Sequence, residues 1–210
     1  GSAFVRYRAS GARDFVYNIA TSAASRFGWG AEVAALIARS GHLHVMGTAL
    51  SMRSACDVID KAVDILRARG GTLSVDPNLR KELRLDSDTE ARFERLVSQA
   101  DLLLPSGEEL ERAAGVDGEA EAIGRLFGRC VKEIVLKRGV AGATCFRPDG
   151  TRIDAAAFVV HDLAPTGAGD CFGGAYVACR RLGLPVQDCL TYACAAGARN
   201  VTARGPMEGA

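Results

Sequence analysis

Between residues 52 and 69 the apolar positions Ala55, Ile59, Val63 and Leu66 recur at intervals of three and four, which predicts an amphipathic helix over Met52–Arg69. Short apolar runs lie on either side of it. His42–Gly47 (HLHVMG), Thr72–Asp76, Leu102–Leu104 and Lys132–Leu136 read as strands. A second helix is expected over Thr89–Gln99, and Pro105-Ser106 opens another through Glu108 and Leu110. Strands alternating with helices in this way predict βαβ units and a mostly parallel sheet covered on both faces. Two stretches depart from the alternation. Phe4–Tyr7 and Asp14–Asn18 are rich in β-formers and flank Ser10-Gly11, which predicts a hairpin. Ala143–Val160 sets two or three short runs, the last of them Phe158–Val160, around the turn signal Pro148-Asp149-Gly150, which predicts an antiparallel edge. The chain ends in Ala-rich helices expected over Gly169–Leu182 and Val186–Ala203. With no internal repeat and no Pro/Ser linker, a single α/β domain over residues 1–210 is expected.

Composition narrows the classes of function. The 210 residues carry 26 Lys plus Arg against 25 Asp plus Glu, a net charge of +1, and 48% are hydrophobic. That is enough to bury a real core, and the balance argues against a dedicated nucleic-acid or membrane-surface binder. No apolar run approaches the roughly 18 residues that a membrane span needs. The seven cysteines are odd in number and form no C-x-x-C pair, which reads as reduced thiols in a cytoplasmic protein. His42 and His44 alternate on one strand and could begin a metal site, but partly buried histidines are the plainer reading.

Of the 24 glycines, several cluster in Ala164-Pro165-Thr166-Gly167-Ala168-Gly169-Asp170-Cys171-Phe172-Gly173-Gly174. Gly167 and Gly169 permit a tight turn with unscreened amides, and the following helix aims its positive end at the same spot, which together make an anion site. Asp170 at that terminus could take a proton from a hydroxyl attacking phosphorus. A capping aspartate after a glycine turn is the plain alternative. A dinucleotide fingerprint would need glycine where Phe172 stands, and no Gly-Lys-Ser/Thr phosphate loop occurs.

Four segments in chain order bear on the choice: Val75-Asp76-Pro77-Asn78-Leu79-Arg80, Leu104-Pro105-Ser106-Gly107-Glu108-Glu109, Lys137-Arg138-Gly139-Val140-Ala141-Gly142, and Pro165 through Phe172. They resemble, respectively, the Asp-Pro-Asn-x-Arg stretch, the Asn-x-x-Glu region, the Lys-x-Gly-x-x-Gly turn and the C-terminal signature of the PfkB carbohydrate kinases. The nearest branch is the 2-keto-3-deoxygluconate kinase and fructokinase type. The resemblance implies a ribokinase-like three-layer αβα sandwich, with residues 4–18 as a remnant of the β lid and the family's N-terminal portion lacking. It implies an ATP-dependent sugar or sugar-acid kinase with Asp170 as catalytic base, also beside the sugar hydroxyl, and the amides of Gly167, Ala168 and Gly169 as anion hole. ATP would be bordered by Lys137, Gly139, Gly142, Thr166 and Cys194, and magnesium organised by Glu109 through water. Arg8, Asn78 and Arg80 would reach the sugar, arginine being suited to a carboxylate. ATP, Mg2+ and a monovalent cation such as K+ are the implied cofactors. A small sugar or sugar acid, with no nucleic acid and no membrane, and a second copy forming a homodimer are the implied partners. Three positions depart from the pattern: Ala164 stands where an acid begins the signature, at a position bearing on loop geometry or a monovalent-cation site, Ser106 replaces asparagine, and Cys194 stands where asparagine is common. A non-catalytic sugar- or nucleotide-binding remnant, or a dinucleotide-dependent oxidoreductase, remains as an alternative.

Overall fold

The computed structural model describes residues 2–7, 13–18, 22–78 and 86–209, and it divides into two compact units, Gly1–Val97 and Ser98–Ala210. In the first unit, strands β1 (Ser2–Tyr7) and β2 (Arg13–Asn18) pair antiparallel, with Ser2 opposite Asn18 and Tyr7 opposite Arg13. The hairpin is therefore present; its Ser10-Gly11 turn lies outside the described residues. After helix α1 (Ala31–Arg39) come β3 (His42–Met46), α2 (Arg53–Ala68) and β4 (Thr72–Asp76), and β3 and β4 run parallel.

The α2 stripe buries Ala55, Val58, Ala62, Val63 and Leu66, while Ile59 is only half-buried, so the inward face is turned slightly from the predicted one. The helix stops because Gly70 takes a left-handed φ of 72°, letting Gly70 N–H bond the Arg67 carbonyl and Gly71 N–H the Leu66 carbonyl at 3.0 and 2.9 Å. This is the paired closure that glycine permits after a helix, and it feeds the chain straight into β4. His42 and His44 are engaged by the neighbouring strand. His42 Nδ1 lies 2.7 Å from Thr72 Oγ1, and His42 Nε2 and His44 Nδ1 lie 2.9 and 2.7 Å from Ser74 Oγ. Helix α3 (Ser87–Ser98) follows, and its Arg92 bonds Asp57, Asp60 and Asp88.

In the second unit β5 (Leu102–Leu103) and β6 (Glu133–Lys137) are parallel, and β7 (Ala143–Phe146) and β8 (Arg152–Ala155) add the expected antiparallel edge. The helical segment after Pro105 is two helices, α4 (Gly107–Ala114) and α5 (Glu119–Gly128), divided where Gly115 turns left-handed at φ 71°. Phe158–Val160 is not a strand. Gly142 turns at φ 91° directly against the backbone of Ala155–Ala157, the edge strand β8 ends at Ala155, and residues 156–160 run on without regular structure. The last two helices, α6 (Ala168–Arg181) and α7 (Val186–Val201), pack closely enough that a Cβ on Gly197 would stand 3.2 Å from the Ala168 carbonyl. Leu104, Val135, Cys145, Tyr176, Leu190 and Ala193 form the core beneath them. Among the described residues no helix is long and apolar enough to cross a membrane.

One ionic cluster fastens α6 to this sheet. Glu133, 7% exposed at the start of β6, accepts from Tyr176 Oη at 2.8 Å, from Arg180 Nε at 3.0 Å and from Arg147 Nη2 at 2.8 Å. Burial opposes its ionisation, but the bonds from Arg147, Tyr176 and Arg180 outweigh it and hold the carboxyl below the usual glutamate range. A carboxyl depressed on folding contributes stability at neutral pH and loses it as pH falls through the folded value. Glu133→Ala strands two half-buried guanidiniums and is expected to cost roughly 3–5 kcal/mol. In thermal denaturation the parent should lose stability below about pH 4, the ordinary carboxylate range, and the variant should lose less over the same interval.

Candidate active site

The site grows from the loop that precedes α6. Leu163 N–H and Ala164 N–H both donate to the Val201 carbonyl, at 2.8 and 3.2 Å, and Asn200 Nδ2 donates to the Thr166 carbonyl at 2.8 Å. Gly167 then takes φ 87°, where a Cβ would collide with the Pro206 carbonyl oxygen. Only glycine fits a left-handed position pressed so closely on backbone. The Cys171 amide closes the first helical bond onto the Gly167 carbonyl at 2.9 Å. The amides of Ala168, Gly169 and Asp170 therefore belong to the turn that has no acceptor within the helix. Ala168 N–H leans on the Pro165 carbonyl at 3.4 Å, a long bond, and the Asp170 side chain is exposed.

Lys137 meets this terminus from β6. Its backbone N–H bonds the Pro105 carbonyl at 2.8 Å, and Ser106 forms a parallel bridge to it. A Cβ on Gly169 would stand 3.7 Å from Lys137 Nζ, so the ammonium lies against the first turn of α6. A cation beside the positive end of a helix gives that spot a double preference for an anion. Two of the sequence-matched segments are thus brought together: the Lys137 turn and the Gly167–Asp170 turn.

The third, at Ser106, arrives with a structural role. Glu109 Oε2 accepts from both Ser106 N–H and Ser106 Oγ, at 2.8 and 2.7 Å, a capping box that opens α4. Beyond Lys137 the chain makes a turn over Gly139–Ala141, with Gly139 left-handed at φ 57° and Gly142 kept free of a side chain by the Ala155 carbonyl. Arg138 turns away onto Glu119, bidentate at 2.9 and 2.6 Å. A cavity of about 360 Å³ opens between these groups, lined by Gly107, Glu108, Glu111, Lys137 and Arg138. Thr166 is half-buried. Cys194 sits inside the apolar core behind α6, and burial pushes its thiol up.

In the first unit, Asn78 follows the buried Pro77 and carries a left-handed φ of 31°, a conformation that asparagine tolerates better than most residues. Arg8 and Arg80 lie outside the described residues. Among the described residues no three His, Cys, Asp or Glu side chains converge as a metal site. A divalent ion here would lean on phosphate oxygens and water more than on the protein, as suits Mg2+.

Asn200 and Pro206 are the site residues that the sequence reading missed. Asn200 did leave a signal: with Ala193 and Gly197 it occupies one stripe of α7 at spacings of four and three, a polar residue on a face otherwise made of small residues.

A family model described as pfkB family carbohydrate kinase matches residues 1–210. Fructokinase-1 of Oryza sativa subsp. japonica is 32% identical over 189 residues, which is 89% of this chain and 56% of that protein. An E. coli structure provisionally described as Ribokinase II, in complex with ATP and Mg2+, superposes with a TM-score of 0.90 at 37% identity, over 100% of this chain and 67% of that one. A double mutant of fructokinase from Vibrio cholerae O395, in a form bound to fructose, ADP and potassium ion, superposes with a TM-score of 0.71 at 27% identity, over 80% of this chain and 56% of that one. The chain has the ribokinase-like α/β fold, and it spans about half the length of the curated relatives it matches.

The glycine geometry makes a paired prediction. Gly167→Ala should destabilise by roughly 1–3 kcal/mol through its left-handed φ and the clash with Pro206. Gly174→Ala, at an exposed α6 position with open space around it, should instead gain about 0.5–1 kcal/mol. Chemical denaturation of both variants checks the contrast.

Proposed function

The chain belongs to the pfkB family of carbohydrate kinases, and on that premise we propose that it transfers the terminal phosphoryl group of ATP to a hydroxyl of a small ketose or keto-deoxy sugar acid. One observation carries the reading. An ammonium, Lys137 Nζ, stands at the first turn of α6 beside Gly169, and the exposed Asp170 carboxylate belongs to that same turn. An anion and a proton acceptor are thus provided for at one place.

ATP supplies the phosphoryl group, and Mg2+ held on its phosphates would screen their charge. Everything else is done by this chain's groups. The amides of Gly167, Ala168 and Gly169 face the charge that develops on the transferred group, preorganised by the left-handed turn rather than reoriented during the reaction. Lys137 adds a fixed positive charge at the same point. Asp170 accepts the proton of the attacking sugar hydroxyl. No covalent nucleophile is required, since phosphoryl transfer is mainly a matter of positioning and charge. Gly139 and Gly142 give the nucleotide a close approach to the backbone beside Lys137, Thr166 contributes the edge of the turn, and Cys194 forms part of the apolar backing. Glu109, already spanning the Ser106 N–H and hydroxyl, would order magnesium-bound water with its other oxygen. On the sugar side Asn78, Arg80 and Arg8 would supply hydrogen bonds, the arginines favouring an acid or a polyhydroxylated chain. A second copy pairing through the β1–β2 hairpin would complete a homodimer. The dinucleotide reading loses its footing at Phe172, which is buried where that fingerprint needs glycine.

Asp170→Asn should lower kcat by about 10²–10⁴-fold, the range for a lost general base, with ADP affinity within a few-fold of the parent. An ATP-consumption assay against fructose, other ketoses and keto-deoxy sugar acids, coupled to calorimetry of ADP binding, reads both quantities. Unchanged turnover in Asp170→Asn removes Asp170 as the base. Binding of ADP without turnover on any sugar assigns the chain to nucleotide binding alone.

A further inference from the structure

We infer that the side-chain amide of Asn200 does here what a monovalent cation does in a potassium-binding kinase: it holds the loop before α6 in shape, so phosphoryl transfer by this chain needs no potassium. The inference rests on the kinase reading above. The loop in question, Leu163–Gly167, is where a cation would act on the phosphate turn, and the Vibrio cholerae fructokinase structure carries a potassium ion.

The residues present do not fit such an ion. The signature position that normally bears an acid is Ala164, so the loop brings no carboxylate. A cation would then depend on carbonyl oxygens, and those of Val201, Pro165 and Thr166 already accept hydrogen bonds. The Val201 carbonyl receives two donors, Leu163 N–H and Ala164 N–H, at 2.8 and 3.2 Å. The Thr166 carbonyl receives Asn200 Nδ2 at 2.8 Å, a contact too short to admit an ion between the two. The Pro206 carbonyl lies where a Gly167 side chain would begin, so it is packed against the turn.

The orientation of the Asn200 amide follows from chemistry. Reversed, it would set Oδ1 against the Thr166 carbonyl, acceptor against acceptor, which only a cation could reconcile. As it stands, Nδ2 supplies the positive end of a dipole, and Oδ1 is left buried with no hydrogen-bond partner among the described residues. Asn200 is fully buried, so that oxygen cannot turn to solvent. A buried acceptor left unsatisfied works against stability, and it calls for a compensating role. Bracing Thr166, the residue next to Gly167, is that role: the side-chain bond from Asn200 sets the carbonyl from which the left-handed turn departs.

The test compares KCl with tetramethylammonium chloride at matched ionic strength, by thermal denaturation and by initial rate. A cation bound only by the folded chain must raise its melting temperature. The parent is expected to melt at the same temperature in both salts and to turn over sugar at rates within about 2-fold of each other, well short of the ~5–150-fold typical of coupled sites. Asn200→Asp replaces the donor with an anionic acceptor facing the Thr166 carbonyl. It should melt lower in tetramethylammonium chloride than the parent and be restored by K+, in melting temperature and, where active, in rate. A parent whose melting temperature rises with K+ overturns the inference, as does an Asn200→Asp variant that K+ fails to stabilise. A parent without turnover in either salt defeats the kinase reading, and the melting comparison still decides the role of Asn200.

Discussion

The left-handed turn at Gly167 decides where α6 begins, and through that where the open amides and Asp170 stand. The turn is fixed from three sides by α7 and the segment after it: Val201 takes the amides at the head of the loop, Asn200 takes the Thr166 carbonyl, and Pro206 closes over the glycine. Each is a backbone or amide contact of definite geometry rather than an apolar one. That matters because an anion hole works only when its donors are already aimed, and a helix terminus on a loose loop would have to be ordered by its ligand at a cost in binding.

The far half of the same helix is held by a different force. Glu133 receives two guanidiniums and a phenol, and a carboxylate in that position contributes to anchoring and to nothing that needs an open lone pair. Asp170 is the complement: it stands in solvent at the other end of α6. One helix thus carries, at its ends, a buried carboxylate's partners and an exposed carboxylate. The division leaves one carboxylate accessible while the other fixes the scaffold. Lys137 joins the two regions, since β6 starts at Glu133 and ends at Lys137. The strand that anchors α6 also brings the ammonium to its first turn.

Much of this was legible in the order of residues. The period of α2, the limits of β4, the hairpin pairing of β1 with β2 and the Gly-Ala-Gly-Asp turn all rest on local rules, so they could be read before any contact was known. The reading failed where the deciding partner was distant. Phe158–Val160 has the composition of a strand, yet among the described residues it pairs with no other strand. The helix opened at Pro105-Ser106 was legible through Leu110, but its end at the left-handed Gly115 and the second helix after it were not. Nor did the sequence show that Glu109 is turned back onto Ser106 as a cap.

What the sequence determined by itself is the set of local conformations: which segments can be helix or strand, where glycines permit a tight turn, and which carboxylate follows the Gly-Ala-Gly turn. These depend on interactions within a few residues, so they are written in the residues concerned. What only the tertiary structure decided is convergence: that the ammonium of Lys137 reaches Gly169, that Pro206 closes on Gly167, and that Asn200, 34 positions away, holds Thr166. Those contacts depend on the packing of whole elements, and a chain carries no local signal of which carbonyl a buried amide will meet.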